Sequence, residues 1–291
     1  MTTTTYTMTV ELDLGPVELT VANLDRSLEY YTSSVGLQVL SQGSGSAQLG
    51  LAGRPLAVLQ EIPGAPPAPP SSAGLSHFAP RVPSRGDLAR FAKHYTHQGL
   101  DADLRAHGNA ESSYVIDPDG HTVEVTWHRP REQWDLIDGK PAIVADPVKL
   151  EDLLSESGSD RPFTGLPADT TMSHVQLKVT DAELANTEPF YTDMLGLDVI
   201  GRMGSRFLAL GVDDQSLLVV TNRFSQPDSA PAPDNSARLL RADLLVPAAS
   251  DVQALAAHLE AAGYPHELHA DALEVRDPSG NLLHVSARTR S

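Results

Sequence analysis

The side chains best equipped for chemistry fall on strand-like segments at alternating positions. "LSHFAPRVP" presents His77, Ala79 and Arg81 on one face, and "HTVEVTW" presents Thr122, Glu124 and Thr126. "MSHVQLKV" presents His174, Gln176 and Lys178, with Val175, Leu177 and Val179 on the other face. Two further segments are built alike but carry other groups. "LGPVELTV" offers Pro16, Glu18 and Thr20, and "LLRADLLVP" offers Arg241, Asp243 and Leu245. A last strand adds Leu282, His284 and Ser286. Imidazoles and carboxylates are the groups that hold metal ions and move protons at neutral pH. Alone, each has a plainer use: a single strand histidine is usually surface-exposed or hydrogen-bonded, and Glu124 between two valines suits a solvated edge.

These segments recur because the chain repeats itself. "DRSLEYYTSSVGLQVL" (25–40) matches "ANTEPFYTDMLGLDVI" (185–200), and Asp117, Pro118 and Gly120 fall on Asp277, Pro278 and Gly280. "FAPRVPSRGDLARFAKHYTHQGL" (78–100) matches "ADLLVPAASDVQALAAHLEAAGY" (242–264), with Pro83 on Pro247. Each half then holds two modules of about 50 residues, each a strand, a helix and further strands. The N-terminal half is 1–135, with modules at 10–62 and 74–130. A connecting segment covers 136–168. The C-terminal half is 169–291, with modules at 170–224 and 237–289. In the last module Ser250 is the expected helix N-cap and Gly263 the stop, followed by a hairpin across "DPSG". Two Pro-rich stretches, 61–74 and 223–238, are expected to be extended loops. In the connecting segment Asp146 is expected to cap a short helix with Pro147 at its first position.

Composition narrows the partners. With 38 acidic against 21 basic residues the net charge is −17, which repels phosphate backbones and excludes nucleic acid as an expected partner. No apolar run approaches a membrane span. The opening "MTTTTYTMTVELDLG" lacks the features of a secretory signal and is expected to be a frayed tail. The absence of cysteine removes disulfides, thiolate metal sites and a cysteine nucleophile, and fits a cytoplasmic location.

The repeat pattern resembles the vicinal oxygen chelate superfamily, which includes glyoxalases, fosfomycin-resistance proteins and extradiol dioxygenases. "GLSHFAPRVPSRGDLARF", "DPDGHTVEVTWHRPREQW" and "MSHVQLKVTD" are most similar to two-domain catechol-2,3-dioxygenase-like proteins, and the likeness spans nearly the whole chain. It implies an α+β fold: four βαβββ modules forming two cup-shaped mixed sheets. It also implies a divalent metal on a cup face, held by the first strand of one module and the first and last strands of its partner. Fe(II) is the implied cofactor, with Mn(II) or another divalent ion as the alternative. If modules pair in chain order, no cup holds a full ligand set: one has Pro16, His77 and Glu124, the other His174, Arg241 and His284. If modules two and three pair, one cup holds His77, Glu124 and His174, two imidazoles and a carboxylate with positions left open. Modules one and four then share Pro16, Glu18, Arg241, Asp243 and His284, suited to an ion-pair network. His284 is accordingly read as structural and His121, in its turn, as exposed.

The resemblance implies a metal-dependent extradiol-type dioxygenase acting on a small catecholic or related aromatic substrate with O2, in a superfamily that often forms homodimers. His128 and Tyr114 are the expected proton-handling residues; Arg81 and Gln176 are the expected substrate contacts. One departure stands out. Relatives often carry a His-rich strand late in module three, where this chain has "GVDDQSLLVV" (211–220). Two alternatives therefore stay open: a metal-dependent isomerase, lyase or glyoxalase-like enzyme, and a non-catalytic binder of an aromatic ligand. The 5% aromatic content argues mildly against the last.

Overall fold

The computed structural model describes residues 6–288. Each module contributes four strands. The first has β1 (Asp13–Val21), β2 (Gln38–Gly43), β3 (Ser46–Leu51) and β4 (Arg54–Glu61); the second has β5 (Gly74–Arg81), β6 (Asp103–Ala106), β7 (Ala110–Ile116) and β8 (Thr122–His128). The third has β9 (Thr171–Lys178), β10 (Asp198–Met203), β11 (Phe207–Val212) and β12 (Gln215–Thr221). The fourth has β13 (Leu239–Val246), β14 (His266–Leu268), β15 (Ala272–Arg276) and β16 (Leu282–Ala287). The helices are α1 (Leu24–Glu29), α2 (Arg85–His97), α3 (Leu150–Leu154), α4 (Thr187–Pro189) and α5 (Ala249–Ala261). None is long and apolar enough to cross a membrane.

The strands form two mixed sheets. One runs β14-β15-β16-β13-β1-β4-β3-β2, joining modules four and one. The other runs β6-β7-β8-β5-β9-β12-β11-β10, joining modules two and three, with the bridge residues Asp146–Pro147 added beside β6. Each sheet takes one module from each half and joins them by one antiparallel seam, β5 to β9 or β1 to β13. Strand alternation sets the faces. Val175 and Leu177 on β9, Val179 just beyond its end, and Phe78 on β5 are essentially fully buried. Each such side chain contributes about 1.5–3 kcal/mol of hydrophobic stabilisation. His174, Gln176 and Lys178 take the opposite face and stay half-buried.

The Asp-Pro-x-Gly turns tie the two modules of each half together. Asp117 accepts backbone N–H bonds from Asp119 and His121, and the Tyr31 hydroxyl donates to it at 3.0 Å. Asp277 repeats this with Ser279, Asn281 and Tyr191, also at 3.0 Å. A buried carboxylate with this many donors is satisfied and structural.

Several local expectations change. The N-cap of α5 is Ala248, whose N–H donates to the Asp251 carboxylate of the first turn at 2.9 Å; Ser250 already lies inside the helix. Gly263 has φ +68 and stops the helix as expected. Asp146 and Pro147 pair with β6 instead of capping a helix, and α3 starts after Lys149. His121 is buried at 6% exposure, because its Nε2 reaches the Thr20 carbonyl of module one at 2.9 Å. The Pro-rich loops pack on each other through Ala237 N–H to Pro66 O and Ala73 N–H to Ala230 O. Of the expected N-terminal tail, residues 1–5 lie outside the described residues. Met8 and Leu12 are packed, Met8 at 2% exposure with its N–H donating to Gly196 O at 2.9 Å, while Val10 and Glu11 between them are exposed.

Candidate metal centre

The β5–β9 seam carries two β-bulges, and each precedes a histidine. Gln176 pairs with His77 while Leu177 pairs with Leu75, which leaves Ser76 as the extra residue. Met172 pairs with Pro80 while His174 pairs with Ala79, which leaves Ser173 as the extra residue. Bulges re-aim side chains beside functional sites. Here they bring His77 and His174 to face each other across the seam, with Glu124 arriving from β8.

The three groups converge. His77 Nε2 lies 2.9 Å from Glu124 Oε2, His174 Nε2 lies 3.1 Å from the same oxygen, and the two nitrogens are 3.0 Å apart. Glu124 is 2% exposed and His77 7%. Oε2 of Glu124 is buried, yet no aligned donor reaches it. A proton can bridge only one of these pairs at a time. One ion in the middle would satisfy all three atoms, and the orphaned oxygen fits that arrangement. The spacing agrees. Edges near 3.0 Å around one face of an octahedron place its centre about 2.1 Å from each atom, within the range for nitrogen and oxygen ligands; a tetrahedron would need about 1.8 Å.

Electrostatics agree with a carboxylate held ionised. Burial opposes charge on Glu124, but the attraction of His174 and His77 outweighs it and holds the carboxyl well below the usual range. Burial lowers the His77 pKa, with Glu124 partly offsetting, which keeps the imidazole lone pair free. Oε1 of Glu124 accepts from the Ser112 hydroxyl at 2.6 Å, fixing the carboxylate plane.

Other expected site residues surround this cluster in a cavity of about 1850 Å³. The Tyr114 ring stands edge-on to His77, with centroids 5.4 Å apart. Burial, then the charge of Glu124, push the Tyr114 phenol far above its usual pKa, so it keeps its proton and serves as a hydrogen-bond donor. His128 Nε2 lies 2.8 Å from Ser173 Oγ, which in turn lies 3.4 Å from His174 Nδ1. Burial, then the charges of Arg81 and His174, push the His128 pKa down to about 4, so its ring is neutral at neutral pH. Gln176 lines the cavity, with its amide donating to Ser76 Oγ at 3.1 Å. Lys178 spends its ammonium on the Pro70 carbonyl at 3.2 Å. Arg81 lines the cavity and is exposed.

His107 was not foreseen. Its Nδ1 lies 2.6 Å from the Val144 carbonyl and its Nε2 lies 2.9 Å from the Tyr114 hydroxyl. A carbonyl only accepts, so in the neutral ring Nδ1 carries the hydrogen and Tyr114 donates to Nε2. The same Nε2 is 4.0 Å from Glu124 Oε1. Val144 belongs to the connecting segment, which crosses the mouth of the cup. Arg131 pairs with Asp214 at 2.7 Å, and Lys140 donates to Val199 O at 3.1 Å. The segment runs so close to Gly108 that a Cβ there would stand 2.4 Å from Ala142 O.

The other sheet carries the same two bulges on its seam, but they aim no buried triangle there; among the described residues its one comparable group, Glu267, His269 and Glu274, lies on the β14–β15 hairpin with Glu267 and His269 exposed. Arg241 Nε lies 3.0 Å from Glu18 and 3.1 Å from Asp243, and its Nη1 lies 3.7 Å from Glu274. His284 meets Glu274 at 3.4 Å. This is the expected ion-pair network, with Glu274 as an additional member.

Paired βαβββ modules forming curled sheets, with a His/Glu/His cluster on one concave face, define a vicinal-oxygen-chelate scaffold. Residues 13–125 match the model of the Glyoxalase/Bleomycin resistance protein/Dioxygenase superfamily. The chain is 32% identical over 271 residues to a catechol-2,3-dioxygenase of Bacillus subtilis (strain 168), covering 91% of this chain and 93% of that relative. The protein belongs to this superfamily. Among solved structures, a proposed dioxygenase from Bacillus subtilis subsp. subtilis str. 168 aligns with TM-score 0.69 at 13% identity, over 98% of this chain and 87% of that one. Glyoxalase I from Zea mays aligns with TM-score 0.57 at 16% identity, over 95% and 92%. At these identities the structures support the fold alone.

Proposed function

We propose that the protein is a divalent-metal-dependent dioxygenase that opens a catecholic or related aromatic ring in the extradiol manner. The observation that carries this reading is the triangle of His77, Glu124 and His174 around a buried carboxylate oxygen without a donor. The relative named catechol-2,3-dioxygenase supports the choice of chemistry. Fe(II) is the proposed ion and Mn(II) the alternative. Held by His77, Glu124 and His174, it would supply Lewis acidity and redox chemistry toward the substrate diol and O2.

The protein groups have distinct tasks. Tyr114, held by its hydrogen bond to His107, presents a hydroxyl oxygen that can accept a hydrogen bond from the substrate, and it stays un-ionised. His128 is a neutral imidazole at the far end of the Ser173 bridge, placed to accept a proton from a substrate hydroxyl. Arg81 and Gln176 flank the substrate on the same face. Leu217 and Val219 on β12 make an apolar wall without an imidazole. That wall favours a second reading, in which the same metal cup performs an isomerase or lyase reaction. Oxygen uptake by metal-loaded protein on catechol separates them. Ring opening predicts uptake with one O2 consumed per ring, abolished in His77→Ala and His174→Ala. Full metal loading with no uptake on any catechol would establish the second reading.

A further inference from the structure

The cavity face that holds the proposed metal ligands also holds a cation without a partner. Among the described residues, Arg81 forms no ion pair and no side-chain hydrogen bond, although it sits in a protein of net charge −17. Other cationic side chains along the cavity are mostly committed. Arg105 pairs with Asp103 at 2.8 Å, Arg238 with Asp234 at 2.7 Å, and Lys178 bonds the Pro70 carbonyl. Arg206 and Arg223 carry no ion pair either, but they stand on the turns that follow β10 and β12.

Arg81 is different because of its strand. It shares β5 and strand parity with His77, four residues on, or about 13 Å of strand rise. Its partners in register are Thr126 on β8 and Thr171 on β9, so it closes one end of the cup. Its charge reaches His128, which the Ser173 bulge links to His174. An aromatic ring chelated at the cluster through two vicinal oxygens would have its opposite edge directed along the cup wall. A guanidinium there offers a fork of N–H donors matched to a carboxylate.

The geometry points to a carboxylate subsite at Arg81: the substrate is an aromatic vicinal diol bearing a carboxylate, and Arg81 selects it over the unsubstituted diol. This rests on the proposed placement of the diol at His77, Glu124 and His174. Arg81 is exposed before binding, and a charge-assisted bidentate contact that the bound ring shields from water corresponds to roughly ten- to hundred-fold in affinity.

The test is anaerobic binding of 3,4-dihydroxybenzoate and of catechol to the metal-loaded protein. Tryptophan emission, in which Trp134 of the cavity lining is expected to respond and Trp127 to give a constant background, reports binding without turnover. The wild type is expected to bind the dihydroxybenzoate at least ten-fold more tightly. Arg81→Gln reduces that ratio to near one, Arg81→Lys keeps part of it, and Arg223→Gln, which removes only a rim charge, leaves it unchanged. Equal binding of both ligands by the wild type overturns the subsite, as does a ratio that survives in Arg81→Gln or collapses equally in Arg223→Gln. The outcome is separable from ring opening. An Arg81-dependent preference in a protein that consumes no oxygen upholds the subsite and overturns the dioxygenase reading.

Discussion

The two cups share one backbone plan and differ in what it holds. In the sheet of modules two and three the seam bulges fall at Ser76 and Ser173, each just before a histidine. In the sheet of modules one and four the register shifts lie at the same places, between Leu14 and Val17 and between Leu239 and Arg241. There the aimed residues are Pro16 and Arg241. Gly15 packs so closely that a Cβ would stand 2.8 Å from Asp243 Cβ. One cup thus leaves three lone pairs facing a common point. The other fills that point with a guanidinium among Glu18, Asp243 and Glu274. The bulged seam is common to both cups, and the two residues it aims separate the proposed metal site from the ion-pair plug.

The comparison breaks most visibly at the ligands. Glu124→Ala is expected to lower the rate of oxygen uptake by about a thousand-fold or more, well beyond the 10–100-fold typical of residues that only orient ligands. His284→Ala, at the equivalent place in the other cup, should leave it within two-fold. A comparable loss in both variants would mean that the cups are not specialised.

Next comes the plug. Arg241→Ala leaves three carboxylates facing each other. Removing one partner of a buried pair costs about 3–5 kcal/mol; with 31% of the Arg241 side chain exposed, about 2 kcal/mol is expected. Urea denaturation reads it. Metal content should not change, so a loss of metal would show that the cups are coupled.

A smaller effect belongs to the bridge between His174 and His128. Ser173→Ala removes the hydroxyl that links them and should cost roughly ten-fold in metal affinity or turnover, with stability little changed. The pH dependence of stability sharpens the picture further. The folded His128 pKa is about 4, below the ordinary imidazole value, so protons bind the unfolded chain first. This residue's contribution is present above the unfolded pKa and is lost as pH falls from about 6.5 to about 4. His128→Gln should flatten that limb.

The smallest effect is Asp243. Burial, with Glu18 and Glu274 nearby, raises its pKa to about 7 against the pull of Arg241. The folded form therefore holds a proton that the unfolded chain releases near pH 4, and stability from this group falls as pH rises from about 4 to about 7. Asp243→Asn should weaken that decline, seen as a flatter melting temperature between pH 5 and 8.

Much of this was legible in the sequence because strand parity is robust. It placed His77, Glu124, His174 and Arg241 on cup faces, and the ligand arithmetic gave the cross-half pairing that the sheets display. Ser112 was within reach, since it shares parity with Tyr114 on β7. His107 was not: it lies on the turn between β6 and β7, where parity ends, and only the hairpin's closure returns it to Tyr114. Ser173 was hidden by its bulge, since an extra residue cannot be read from alternation. His121 looked exposed because the contact that buries it comes from a different module. The Asp146 cap failed for the same kind of reason: pairing with β6 overrode a local helix signal.

The most direct test of the specialised cups is the number of divalent ions bound per chain in anaerobically loaded protein. The account predicts one ion in the wild type, one in His284→Ala and none in Glu124→Ala. Two ions in the wild type, or an ion retained at full occupancy in Glu124→Ala, would contradict it.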